Sequence, residues 1–298
     1  MAGVLIPAVL VAGCSVDTLP AATVTASTPA ATSTPRSTEG PVVPTATAAG
    51  TPPAVAGIVN FRDVAGPGLA LSGGGTMARG VVYRSAALHG ASAADLKALE
   101  GAGVGLVLDL RSRRVASLAP DPAVPGARTE IVDVFAGTHE SAASVRTVAQ
   151  ARAHMQAMNV AFVAEPAQRA RLAEVLRLVA EAERPVLVHC THGKDRTGWV
   201  SALLQLVAGA DRSQVMAEYL ASNSYRSAEN ERAYERARAR EGRRAARVER
   251  ALLEVRPGYL QAGLDELDRR YGDLHGYLTA GLGLSEATIN ELRTRLAG

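Results

Sequence analysis

The chain has only two cysteines in 298 residues, Cys14 and Cys190, and they lie in unlike surroundings. That excludes a disulfide framework and any zinc site built from clustered thiolates. It also excludes thiol-dependent arsenate reduction, which needs cysteines that shuttle electrons. Lysine is as scarce, with Lys97 and Lys194 standing against thirty arginines. Aromatic residues make up 4% of the chain, so Leu, Val and Ala must fill the core; the hydrophobic fraction of 47% is ample for one. With a formal net charge of +3 and no interleaving of aromatic and basic residues, nothing points to nucleic acid. Long apolar runs are missing too. The uncharged, mostly apolar run at residues 3–13 has eleven residues, too few to cross a bilayer as a stable helix.

What that run does fit is the apolar core of a secretory signal, with small residues before a processing point. Its ending, Val11-Ala12-Gly13-Cys14, resembles the bacterial lipoprotein signal, in which the cysteine becomes the lipidated first residue of the mature chain. One departure is that no Lys or Arg precedes the run. Either the true start lies upstream of Met1, or the amino terminus supplies the only positive charge. The resemblance implies a signal peptide at 1–13, lipidation at Cys14, and anchoring to the bacterial cell membrane on its extracytoplasmic side. Residues 17–56 hold ten Thr, ten Ala and seven Pro with three charged residues. Such a stretch buries too little surface to offset its ordering entropy, so 14–56 reads as a disordered linker. Stretched as polyproline at ~3.1 Å per residue it reaches roughly 120 Å, which suits a domain held off a membrane on a tether.

The chain is organised around Pro185 to Gly198, Pro-Val-Leu-Val-His-Cys-Thr-His-Gly-Lys-Asp-Arg-Thr-Gly. An apolar run ends in Cys190, a tight polar loop follows, and an apolar helical pattern (Trp199, Val200, Leu203, Leu204) begins at once. This order predicts a buried strand, a loop and a helix start. Backbone amides at a helix start have no partner within the helix and point outward, where they cradle an anion. The helix dipole, those amides and Arg196 all favour the thiolate at Cys190. Arg196 also offers a planar fork that holds two phosphate oxygens at once. A thiolate beneath a clamped tetrahedral phosphate is arranged for in-line attack and a covalent phosphocysteine. Since 32 of 298 residues are basic, roughly one position in ten, the spacing from Cys190 to Arg196 alone decides little. The ordered set His-Cys-x-x-Gly-Lys-Asp-Arg-Thr-Gly between a strand and a helix decides much more.

That set resembles the phosphate-binding signature of cysteine-dependent protein tyrosine phosphatases, in particular the bacterial tyrosine/serine branch. Asn60-Phe61-Arg62-Asp63, Tyr83-Arg84-Ser85 and Asp109-Leu110-Arg111-Ser112 are similar to the family's upstream motifs. The resemblance covers most of residues 57–298. It implies a hydrolase of phosphate monoesters, with phosphotyrosine in proteins or peptides first, and phosphoserine/threonine and phosphoinositides as wider substrates. No metal or cofactor is implied.

Within the loop, Cys190 is the expected nucleophile, Arg196 the clamp, and Thr197 a donor to the thiolate. Asp195, beside the clamp, is the first candidate for general acid. An Asp directly before the clamp arginine also occurs in the lipid phosphatases of the myotubularin type. Asp109, at a strand end, is the second candidate, with turn capping an equal alternative. Thr191, His192, Gly193 and Lys194 complete the cradle. A compact ammonium at Lys194 suits an extra phosphate on an inositol ring or the substrate's own; a loop-exterior lysine is the plainer reading. His192, bulkier than the residue expected there in relatives, narrows the pocket or adds a second titrating group. Arg62, Asp63 and Arg84 orient the loop, line the pocket, or form surface salt bridges. Competing functions are a phosphoinositide-preferring lipid phosphatase, a sulfurtransferase and a non-catalytic phosphate-binding module. The intact Asp-Arg-Thr ending speaks against the sulfurtransferase, and Cys190, Asp195 and Arg196 together speak against the module.

The folded part is expected from Gly57 to Gly298 as one phosphatase domain. Strands at 80–85 and 104–110 alternate with helices, which implies an α/β fold, a mostly parallel central sheet flanked by helices on both faces. Ser92 to Asp95 reads as a capping box opening a helix through Glu100. Helical periodicity at 140–164 and 166–183 breaks at Glu165-Pro166, and a further helix runs from Asp211 to Leu220. Tyr225 to Arg250, with nine Arg against five Glu, reads as a solvated helical face, or as a lid or an anionic-lipid contact. The tail from Pro257 carries two or three short helices with breaks at Gly272 and near Gly281-Leu282-Gly283. Groups at the carboxyl ends of parallel strands converge on one crevice, which brings Cys190, Asp109 and Arg111 together.

Overall fold

The computed structural model describes residue 53, residues 55–137 and residues 142–297, all within the compact unit Thr47–Gly298. The expected signal peptide, the lipidation point Cys14 and nearly all of the linker lie outside the described residues, as do positions 140 and 141. No described helix is long and apolar enough to cross a membrane.

The strands are β1 (Arg62–Asp63), β2 (Val82–Ser85), β3 (Leu106–Asp109), β4 (Arg128–Ile131) and β5 (Val186–His189). They form one sheet in the order β1-β2-β5-β3-β4, parallel throughout except for the antiparallel edge strand β1. The helices follow in chain order as α1 (Ala93–Gly101), α2 (Arg113–Leu118), α3 (Val148–Ala164), α4 (Pro166–Glu181), α5 (Arg196–Ala208) and α6 (Arg212–Tyr225). Then come α7 (Ser227–Leu253), α8 (Pro257–Tyr271), the single turn α9 (Leu274–Gly276), a π-type turn at Tyr277–Gly281, and α10 (Glu286–Leu296).

Both faces of the sheet are covered, which is why its central strands read as near-continuous apolar runs. Successive side chains still alternate. Val82, Leu106, Leu108, Val186 and Val188 enter a large core with residues of α3, α4, α5, α8 and α10. Tyr83, Val107 and Leu187 face a smaller one with Ile58, Phe61, Leu88 and Leu99. α5 is buried almost all round, as a core helix should be. Its Trp199 stacks on Phe162 at 5.9 Å and meets Tyr277 edge-on at 6.3 Å. Gly263 of α8 comes so close that a Cβ there would lie 2.5 Å from the indole. This packing fixes the helix whose first turn forms the site.

Local signals account for most boundaries. Ser92 and Asp95 form the expected capping box. α3 starts at Val148 rather than near 140, because Thr147 and Gln150 cap each other's amides there. Pro166 opens α4 in its first turn, where its missing N–H costs nothing. β4 was not expected; it is a half-exposed edge strand, Arg-Thr-Glu-Ile, with no apolar alternation to announce it. The basic stretch from Tyr225 to Arg250 is not one continuous face. α6 ends at Tyr225, Arg226 is buried, and α7 breaks at Gly242, whose φ of 86° and ψ of 176° leave the helix. Beyond the break, Val248 and Ala251 pack on Ala151 of α3.

Candidate active site

The site forms where β5 gives way to α5. His189 ends the strand, Cys190 to Asp195 make the loop, and Arg196 begins the helix. Gly193 has a φ of +67°, and a Cβ there would fall 2.2 Å from the carbonyl oxygen of Ser85, so only glycine lets the loop lie against β2. Its N–H donates to Cys190 Sγ at 3.3 Å.

The outer side of the loop is held by donors. Asn60 Nδ2 donates to Gly193 O at 2.8 Å and to His192 O at 3.2 Å. Arg84 Nη2 donates to Gly193 O at 2.8 Å, and Arg226 Nη1 to His192 O at 3.1 Å. Asn60 does this from a left-handed backbone, φ 61°, which asparagine tolerates better than most residues.

Opposing effects set the charge at Cys190. Burial pushes the thiol up, but the Arg196 guanidinium and the adjacent Thr197 hydroxyl and amide prevail, and it lies below the ordinary thiol value. Arg196 is braced on three sides: Nη1 donates to Leu110 O at 3.1 Å, Nη2 to Thr191 Oγ1 at 3.3 Å, and the guanidinium lies 4.4 Å from the centre of the Phe135 ring.

The structure revises several expectations. Lys194 is not a loop-exterior lysine; it is 1% exposed, and its Nζ lies 2.9 Å from both carboxylate oxygens of Asp195. His192 is no second titrating group near neutrality, because burial and the charges of Arg226 and Lys194 push it down to about 3. Arg62 and Arg84 neither line the pocket nor reach the surface. Both are buried and paired with Glu218 at 2.6 Å, and Arg62 also donates to Ser222 Oγ at 2.9 Å. Burial and the neighbouring Arg84 lower Arg62 to about 10. Burial opposes ionisation of Glu218, yet the two guanidiniums hold it below the ordinary carboxylate range. Removing one member of such a buried cluster costs about 3–5 kcal/mol. Asp63 is occupied by the amides of Ala65 and Gly80, at 2.8 and 2.6 Å.

Asp109 does lie at the carboxyl end of β3, next to β5, but it is unsuited to proton transfer. It is 2% exposed, and both of its oxygens accept from Arg111, at 2.9 Å to Nε and 2.6 Å to Nη2. Burial favours its protonated form, but those hydrogen bonds prevail and keep it ionised below the usual range. Among the described residues, Asp109, Asp121 and His189 bring metal-ligand atoms within 4.8 Å of one another. The place of a cation there is taken by Arg111, which bonds the two carboxylates at 2.6 and 2.7 Å.

Asn60, Glu218, Ser222 and Arg226 support the loop without having been read from the sequence as site residues. Asn60 had a signal, since it opens the Asn-Phe-Arg-Asp stretch. Glu218 and Ser222 had only their spacing of four, which puts them on one face of a helix.

A cradle of this shape, with inward amides, an anionic sulfur and a braced arginine, suits a tetrahedral phosphate, and the class it defines is a phosphatase, a hydrolase. The sequence profile of the tyrosine phosphatase family matches residues 53–298, and the chain belongs to that family. It is similar to a protein of Cupriavidus necator provisionally named a tyrosine-protein phosphatase, with 34% identity over 78% of this chain and 84% of that one. It is 32% identical to the triple specificity protein phosphatase PtpB of Mycobacterium tuberculosis, over 81% of this chain and 98% of the relative. The crystal structure of TpbA of P. aeruginosa overlaps 47% of this chain and 68% of that one at 22% identity, with a TM-score of 0.31, too slight to extend the argument.

Proposed function

We propose that this phosphatase cleaves phosphate monoesters in proteins, phosphotyrosine first and phosphoserine and phosphothreonine with it, through a phosphocysteine at Cys190. The observation that carries the reading is Cys190 Sγ, depressed in pKa, beneath the Gly193 amide at 3.3 Å and at the start of the helix that Arg196 opens. The thiolate attacks phosphorus in line with the ester oxygen; the S–P bond forms as the P–O bond breaks. Arg196 and the loop amides take up charge on the three equatorial oxygens. Asp195 gives its proton to the leaving oxygen. Water then attacks phosphorus, Asp195 takes a proton from it, and phosphate leaves as the thiolate is restored, steadied by Thr197. Both carboxylates face a cation, but Asp195 suits the acid role better: it meets the single ammonium of Lys194 and its side chain is 13% exposed beside the clamp, whereas Arg111 closes both oxygens of Asp109, whose side chain is 4% exposed.

A panel of phosphotyrosine peptide, phosphoserine peptide and phosphoinositide micelles, with and without chelator, tests the substrate class. That one relative is named for triple specificity favours a broad range, which is why phosphoinositides belong in the panel. Asp195→Asn is expected to lower kcat on alkyl phosphates by about 10²-fold and on p-nitrophenyl phosphate far less, since nitrophenolate leaves without a proton. Equal losses on both esters, or none on the alkyl ester, would take the acid role away from Asp195.

The Val11-Ala12-Gly13-Cys14 ending supports a lipid anchor at Cys14 and an extracytoplasmic site of action. Expressed from its full reading frame in a bacterial host, the protein is expected in the membrane fraction, and Cys14→Ser is expected to release it. Equal distribution of the two on fractionation removes the anchor from the proposal.

A further inference from the structure

Glu218 belongs to α6, outside the strand-loop-helix unit that holds Cys190, yet two chains of hydrogen bonds run from it to the loop carbonyls. In the first, Glu218 Oε2 accepts from Arg84 Nη1 at 2.6 Å, and Arg84 Nη2 donates to Gly193 O at 2.8 Å. In the second, Glu218 Oε1 accepts from Arg62 Nε at 2.6 Å, and Arg62 Nη1 donates to the backbone and side-chain oxygens of Asn60. Asn60 Nδ2 then reaches both Gly193 O and His192 O. In a trans peptide the carbonyl oxygen and the following amide hydrogen point in opposite directions. Drawing His192 O outward therefore turns the Gly193 N–H onto Cys190 Sγ, at 3.3 Å, and drawing Gly193 O outward turns the Lys194 N–H away from that carbonyl, toward the inner side of the loop.

We propose that Glu218 is a positioning residue for the nucleophile: it holds Arg62 and Arg84 in the one pose that keeps the loop carbonyls off the sulfur and the loop amides on it. The proposal rests on Cys190 as the phosphatase nucleophile, but its consequence is read on the thiol itself. A through-space effect and a positioning effect have opposite signs here. Glu218→Gln removes a negative charge and leaves two buried guanidiniums, so by charge alone it favours the thiolate and moves the titration to lower pH. If the residue acts by aiming the amides, the titration moves to higher pH, because the thiolate loses its donors. A residue that only supports the fold lowers the melting temperature and moves neither.

The test is the pH dependence of Cys190 alkylation by iodoacetamide in wild type and Glu218→Gln, with Cys190→Ser as the blank that removes any contribution from Cys14. The expected result is a midpoint raised by about one pH unit, with inhibition by inorganic phosphate weakened about tenfold. An unmoved or lowered midpoint overturns the proposal. Should Glu218→Gln fail to fold, Asn60→Gly decides, since glycine keeps the left-handed backbone at φ 61° and leaves the Glu218 pairs in place. It is expected to raise the midpoint in the same direction, and a wild-type midpoint there overturns the proposal equally. If the wild type turns over no phosphate ester while the midpoint still rises, the phosphatase reading falls and the positioning role stands.

Discussion

Replacing Cys190 with serine is expected to lower kcat on every phosphate monoester by at least about 10⁴-fold, with phosphate affinity nearly retained. The difference lies in ionisation more than in shape. Arg196 and Thr197 overcome the cost of burying a charge and keep the sulfur anionic below the ordinary thiol range. The same environment cannot ionise an aliphatic hydroxyl, whose pKa lies far higher, so the nucleophile is absent while the cradle remains. Gly193, Asn60, Arg84 and Arg226 still aim the amides, because none of them depends on the atom at Cys190 for its other contacts. Steady-state kinetics on p-nitrophenyl phosphate, beside calorimetric binding of a phosphotyrosine peptide, checks both halves. Turnover close to the wild-type rate would remove the thiolate from the mechanism, and lost binding would show that the sulfur also holds the loop together.

How much of this was legible in the sequence depends on whether a feature is local. The strand-loop-helix unit could be read because its cues are adjacent: an apolar run to His189, glycine where φ is positive, and an apolar helical pattern from Trp199. Covered strands and capping boxes are local in the same sense, and Ser92 with Asp95 behaved as expected. The edge strand β4 was invisible, because its four residues, Arg-Thr-Glu-Ile, hold a single apolar side chain and so carry no alternation to read. Charges were misjudged wherever their meaning lay in a partner. Lys194 and Asp195 are neighbours, yet only the fold shows that the ammonium is buried against both carboxylate oxygens. Asp109 looked free to move a proton, although Arg111 two residues on neutralises it. Arg62 and Arg84 could be seen to matter from their motifs, but the carboxylate that fixes them sits on α6, and no periodicity ties Glu218 to them. Arg226 lay within a run of nine arginines and was counted as surface, whereas the chain turns there and buries it against His192 O. Counting charge along a helix gives its amount and not its direction.

Arg196→Lys separates charge from geometry at the same centre, and it is expected to lower kcat/KM by about 10³-fold. Lysine keeps one positive charge near the sulfur, so alkylation of Cys190 should shift little. What it loses is the fork. The guanidinium is held by Leu110 O and Thr191 Oγ1 on its two terminal nitrogens, with the Phe135 ring 4.4 Å from its centre, so its plane is set before any phosphate arrives. A primary ammonium on a flexible stem cannot bond two equatorial oxygens in that plane, and it leaves the Leu110 carbonyl and the Thr191 hydroxyl without their donor. Arg196→Ala removes charge and fork together; the same loss of turnover should then come with a thiol titration moved to higher pH, since the largest influence lowering it has gone. The pair of variants thus assigns the arginine two duties, ionising the sulfur and gripping the phosphoryl group as its charge spreads. If lysine supports wild-type kcat/KM, the second duty does not exist and a point charge at the head of α5 is all that the chemistry needs.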